Sequence, residues 1–113
     1  MNEISTFNAT GTNEATVDAM PHSIEAEQQL LGAILTNNDI FDRIAAVVGP
    51  QHFYDPVHAR IFDCAAARLA KNALASPVTL KSYMEDDEGL AELGGGAYLV
   101  RLAASATSAF AAR

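Results

Sequence analysis

The chain has 113 residues, half of them apolar, with 7 Lys and Arg against 14 Asp and Glu and a formal net charge of −7. That length supports one domain with its own core. A single cysteine, Cys64, excludes an intramolecular disulfide framework, and no apolar run reaches the ~20 residues of a membrane span. The cations Arg43, Arg60, Arg68, Lys71, Lys81, Arg101 and Arg113 are scattered and form no basic stripe, so direct contact with nucleic-acid phosphates is not expected.

Residues 1–20 read as a tail. The stretch is rich in Thr, Asn, Ala and Glu, holds Glu3, Glu14 and Asp18 without a cation, and lacks the apolar content that offsets ordering entropy, so disorder is expected there. It also lacks a positive segment followed by an apolar core, so no secretory signal is read, and a cytoplasmic setting follows.

Residues 21–113 read as one all-α domain, a compact orthogonal arrangement of about five to six helices. Alanine is abundant and β-branched residues never alternate over a strand length. Ser23 is placed to cap a first helix, with Glu25 and Glu27 in the turn that the helix dipole makes favourable to acids. Leu30, Leu31, Ile34 and Leu35, extended upstream by Ala26, give it one apolar stripe. Small Gly32 and Ala33 leave room for a second helix to approach. The helix is expected to stop near Asn37 and Asn38, and Asn38 or Asp39 to cap a second one carrying Ile40, Phe41, Ile44, Ala45, Val47 and Val48. Gly49-Pro50 reads as its stop, with Gly49 left-handed. Gln51 to Tyr54 is a connector with two aromatic anchors.

Asp55-Pro56 reads as cap plus first helical residue of a third helix running to about Ala70, with Val57, Ile61, Cys64 or Ala65, and Leu69 inward and Phe62 and Ala66 widening that face. Ser76-Pro77 repeats the device for a short fourth helix with Val78, Leu80, Tyr83 and Met84 inward. Glu85 to Glu88 reads as a solvated acidic loop, without the spaced oxygen ligands of a calcium site. Gly89 to Leu93 gives one helical turn, and Gly94-Gly95-Gly96 a break. A last helix starts near Ala97, places Tyr98, Leu99, Leu102 and Ala103 inward and ends near Thr107. Ser108 is placed to cap a further helix that the chain, ending at Arg113, holds only in part.

No constellation with catalytic spacing is legible. The only Lys-Ser pair, Lys81-Ser82, follows Leu80 and not glycine, so it is no phosphate-binding loop, and the triple glycine runs into Ala97-Tyr98-Leu99 without a lysine. His22, His52 and His58 lack the partners of a zinc set. No metal or cofactor site is assigned, and Cys64 reads as a small buried thiol. The residues alone therefore describe an acidic helical interaction module.

Four stretches carry a family resemblance. They are Pro21 to Leu35 (PHSIEAEQQLLGAIL), His52 to Phe62 (HFYDPVHARIF), Val78-Thr79-Leu80, and Glu88 to Leu99 (EGLAELGGGAYL). In this order and spacing the chain resembles the N-terminal domain of the DnaB-type bacterial replicative DNA helicases, from Pro21 to about Arg113. The resemblance implies a collar domain on one side of a hexameric ring at the replication fork. It would pair with other subunits, dock primase and in some bacteria meet a loader, while a separate motor domain holds ATP and Mg and moves along DNA. It also implies that the chain ends inside a C-terminal helical hairpin, with Thr107 where a proline is common. Tyr98, Arg101, Leu102 and Ser105 on the last helix become the candidate partner-contact residues, with Glu25, Glu27 and Asp55 structural. Two rivals stand beside this reading. One is a free-standing helical adaptor unrelated to replication; the other is a small DNA-binding domain imitating a helix-turn-helix, which the acidic charge opposes.

Overall fold

A computed structural model describes the backbone of residues 23–111 and the side chains of residues 23–106. The expected tail, His22 and the last two residues lie outside the described residues. Six α-helices, and no strand among the described residues, follow in order: α1 Ile24–Thr36, α2 Phe41–Ala45, α3 Pro56–Ala70, α4 Pro77–Tyr83, α5 Glu88–Leu93 and α6 Gly96–Ala111, with 3-10 turns at Asn38–Ile40 and Pro50–His52.

Most caps are where the sequence puts them. The Ser23 hydroxyl accepts from Ala26 N, Asp55 from Val57 N, and Ser76 from Thr79 N, while Ser76 N donates back to Thr79 Oγ1. Each satisfies donors that the first helical turn leaves orphaned. Asp87 caps α5 through Leu90 N and also receives Arg60 from α3, at 2.6 and 3.0 Å. The acidic run is thus not uniformly solvated, because one of its carboxylates ties two helices.

The packing is dominated by α1 against α6. Leu31, Ile34 and Leu35 meet Leu99 and Leu102, and α3 closes the side with Ile61, Phe62 and Ala65. Leu80, Met84 and Leu90 cover the end of the core. Rings of Phe41 and Phe53 lie 5.4 and 5.3 Å from that of Phe62, which seats α2 and the connector. At the crossing of α1 and α6, a Cβ on Gly32 would fall on the Leu102 carbonyl oxygen, so only a residue without one lets the backbones come this close.

Several expectations need correction. The Asn37 side chain, not Asn38 or Asp39, caps the turn before α2 by accepting from Asp39 N. Asn38 is spent elsewhere, donating to Ile34 O and Ala75 O and accepting from Ala75 N, so it clamps the loop before α4 to the end of α1. The second helix is shorter than its apolar pattern suggests, and Val47 is 76% exposed. Gly49 is extended (φ −126°, ψ 175°), not left-handed, because Pro50 opens a new turn instead of following a helix cap. The left-handed cap belongs to Asn72 (φ 59°), where Asn72 N and Ala73 N reach back to Leu69 O and Arg68 O. Ala26 faces outward on α1, and Val78 and Tyr83 on α4, since the seven residues of α4 present one inward edge, taken by Leu80, with Met84 buried just past the helix end. The glycine break is real, with Gly94 and Gly95 at positive φ, but α6 starts on Gly96 and its backbone stays helical through Thr107 and Ser108 to Ala111. The turn expected near Thr107 is absent.

Replacing Gly32 by alanine is expected to destabilise the domain by about 1–3 kcal/mol, the usual cost of overpacking, read as a lower urea midpoint with unchanged slope. Arg60 and the α5 backbone hold the Asp87 carboxyl down to about 2. Its stabilisation is therefore present above the unfolded value of ~3.9 and is lost as pH falls through about 2. Asp87→Asn, which keeps a capping oxygen, should lower stability at neutral pH by about 0.2–1 kcal/mol, the range for an exposed pair. It should also flatten the acid limb of the stability–pH profile below pH ~4.

Candidate functional site

The candidate contact residues Tyr98, Arg101, Leu102 and Ser105 all lie on α6, but they divide between its two faces. Tyr98 and Leu102 are buried, at 5% and 1% exposure, and belong to the chain's own core. This corrects their assignment as contacts, because a helix seated on α1 turns its Tyr98/Leu99/Leu102/Ala106 stripe inward. Arg101 is exposed and Ser105 half-buried. The outward stripe consists of Ala97, Val100, Arg101 and Ala104, all exposed. Val100, at 57% exposure, was missed. Its signal was an apolar residue one position past Leu99 and therefore off the inward stripe.

Beneath that stripe lies a buried polar chain that the sequence did not disclose. His58 is fully buried. Its Nδ1 is 2.8 Å from Glu27 Oε1 and its Nε2 is 2.6 Å from the Tyr98 hydroxyl, which also receives Gln28 Nε2 at 3.1 Å. Glu27 accepts further from Tyr54 N at 2.6 Å and Asp55 N at 3.4 Å. The imidazole and phenol rings stack with centroids 5.9 Å apart. Side chains from α1, α3 and α6 thus meet through one imidazole. Glu27 was read as a dipole-favoured first-turn acid; it is also the anchor of the connector. His58 shares its helix face with Ile61, Phe62 and Ala65 at offsets of three, four and seven, so the helical period already marks it as inward.

Hydrogen-bond capacity constrains the direction of this chain. Glu27 offers only acceptors, so His58 donates from Nδ1. The Tyr98 oxygen accepts from Gln28, and in a neutral ring carrying its proton on Nδ1, His58 Nε2 is the acceptor for the Tyr98 proton. Burial pushes the Tyr98 phenol above its ordinary value, which keeps that proton in place. Carboxylate, imidazole and hydroxyl occur in the order of a nucleophile-activating triad. Here, however, the imidazole has no exposed surface and the hydroxyl is spent on Gln28 and His58, so no substrate carbonyl can reach the oxygen. The arrangement serves as a structural tie.

His52 Nδ1 accepts from Gly49 N at 2.9 Å. Among the described residues no group of three His, Cys, Asp or Glu converges as metal ligands, and no helix is long and apolar enough to cross a membrane. Burial raises the Cys64 thiol above its ordinary value, which disfavours the reactive thiolate. Arg101 places its guanidinium 5.3 Å from the Tyr98 ring centroid and donates to Leu93 O at 3.1 Å, capping α5 while its upper edge remains in solvent.

A family model described as the DnaB-like helicase N-terminal domain matches residues 19–113. The chain is 37% identical over 83 residues to the replicative DNA helicase DnaB of Rickettsia felis and 32% identical to that of Geobacillus stearothermophilus, each match covering 74% of this chain. It spans only 17% and 18% of the length of those relatives. The crystal structure of the N-terminal domain of DnaB helicase from Mycobacterium tuberculosis superposes with a TM-score of 0.69 at 27% identity, covering 75% of this chain and 59% of that one.

The direction of the buried chain has a direct readout. Nitrogen NMR of the labelled imidazole at neutral pH should show His58 as the Nδ1–H tautomer, with Nε2 unprotonated and coupled to the Tyr98 proton. A proton resident on Nε2 would reverse the assignment.

Proposed function

Because the chain belongs to the DnaB-like helicase N-terminal domain family, we propose that it is the protein-interaction and ring-assembly domain of a replicative DNA helicase. In this reading it meets other subunits of a hexameric ring, docks primase and receives a loader where one is used. ATP and Mg belong to a motor domain outside these residues, which also carries the contact with DNA, and the work is done in the bacterial cytoplasm. The helicase role itself comes with the family. Ring assembly and primase docking are inferred for this chain from the shape and chemistry of α6.

The observation that carries the reading is the outward stripe Ala97, Val100, Arg101 and Ala104 on a helix fixed from below. Its inner side is held by Leu99 and Leu102 in the core and by Tyr98 in the buried polar chain. A rigid helix face with small residues, one exposed aliphatic and one arginine lets a partner helix approach closely and gives it an anchor and a donor. Pre-ordered side chains reduce the entropy lost on docking, and arginine is enriched at interface hot spots. The charge balance of −7 argues for a protein partner over a nucleic acid. The absence of any Gly-Lys-Ser or Gly-Lys-Thr in the sequence is in keeping with a motor housed elsewhere.

Val100→Asp places a charge on the stripe without entering the core. Titration calorimetry against the primase of the same organism should show affinity reduced by about tenfold or more, the loss expected when an interface anchor is replaced by an unpaired charge, with an unchanged melting temperature. Equal affinity for the variant would remove α6 from the docking surface. The 113-residue chain alone should hydrolyse no ATP above the buffer rate in a phosphate-release assay; turnover would contradict the assignment of nucleotide chemistry to a separate motor.

A further inference from the structure

On the side of the domain formed by the turn before α2 and the loop after α3 runs an open groove of about 500 Å3, lined by Asp39, Phe41, Asp42, Leu69, Asn72 and Leu74 among others. Its lining is mixed, with three large apolar side chains, Phe41, Leu69 and Leu74, set among polar ones. Phe41 and Leu69 are half-buried, and Leu74 is 61% exposed, a large aliphatic left in water at the rim. Asp39 and Asp42 are exposed, and among the described residues neither takes part in an ion pair. No Lys or Arg lines the groove. The groove also abuts the C-terminal end of α3, where the helix dipole adds partial negative charge.

The walls are firm. Asn38 fastens the loop at Ala75 to the end of α1 through three hydrogen bonds. The left-handed Asn72 fixes the exit from α3, and Leu74 O is held by Arg68 Nε and Thr79 Oγ1. The Leu74 side chain is therefore displayed by a backbone that is pinned on both sides.

We propose that this groove is a second docking site, distinct from the α6 face, for a cationic amphipathic helix of a partner protein. One large apolar side chain of that helix lies against Phe41, Leu69 and Leu74, and flanking Lys or Arg side chains pair with Asp39 and Asp42. Charge complementarity selects this occupant. Nucleic acid and anionic membrane surfaces are repelled by the two carboxylates, and a small cation gains nothing from the Phe41, Leu69 and Leu74 side chains. The proposal does not depend on which partner uses α6.

The test uses the whole 113-residue chain and a fluorescein-labelled alanine–lysine helical peptide with one central leucine, read by fluorescence anisotropy. Asp39→Asn with Asp42→Asn, and separately Leu74→Asn, should each weaken binding by about fivefold, the scale for a pair of exposed charges or one part-buried anchor. Replacing the peptide leucine by asparagine should do the same. Glu85→Gln with Asp86→Asn, which removes as much negative charge at exposed positions elsewhere, should leave the affinity within about twofold of the wild type. Circular dichroism of each variant checks the fold. Equal weakening by both charge pairs, or indifference to Leu74→Asn, overturns the proposal. So does a two-chain mass in light scattering that falls to one chain in Leu74→Asn, because the groove then holds a second copy.

Discussion

A buried imidazole must have both nitrogens satisfied, and in this domain that requirement binds three helices together. His58 has no contact with water, so an unpaired donor or acceptor on it would carry a desolvation cost of about 1–3 kcal/mol. Glu27 from α1 and Tyr98 from α6 supply the two partners. Glu27 in turn gathers the backbone N–H groups of Tyr54 and Asp55, so the connector before α3 and the cap of α3 rest on the same carboxylate. Apolar contact is non-directional, whereas the Glu27–His58–Tyr98 chain is satisfied only when these three side chains meet. Directional bonds of this kind specify a register that hydrophobic contact alone leaves loose.

The functional reading follows from where this order is spent. Tyr98 and Leu102 give their surfaces to the interior, and that commitment makes the opposite face of α6 a rigid one. Gly32 adds to it by letting the α1 and α6 backbones come within a distance that any side chain would prevent. The domain therefore presents a stiff helix whose underside is locked and whose outer side carries Val100 and Arg101 among alanines. Such a face is what the proposed docking role would use.

Much of the fold was legible because it is written in local rules. Ser23, Asp55 and Ser76 declare helix starts through capping chemistry that needs no tertiary information, and α3 has the bounds its Asp-Pro start and apolar period require. What failed depended on neighbours far along the chain. Val78 and Tyr83 look inward by composition, but only one edge of α4 meets the core. Asn38 looks like a cap, yet Ala75, 37 residues away, takes its side chain. Gly49 resembles a helix stop, while Pro50 uses it as an extended entry to a new turn. The candidate contact site was half legible. The inward stripe of the last helix was largely legible, but Tyr98 and Leu102 belong to that stripe and so are not surface. The polar chain was hidden because its members stand 31 and 40 residues apart, and no spacing rule links a first-turn glutamate, a histidine on an apolar face and a tyrosine after a glycine turn.

The dependence of the fold on this tie is best measured by a double-mutant cycle between Glu27 and Tyr98, whose side chains communicate through the His58 ring. Urea unfolding of the wild type, Glu27→Gln, Tyr98→Phe and the double variant gives the coupling directly. The account requires non-additivity of about 0.5–3 kcal/mol, because once one end of the imidazole is released the other loses much of its worth. Strict additivity would mean that the two ends act independently and that apolar packing alone sets the arrangement of the three helices.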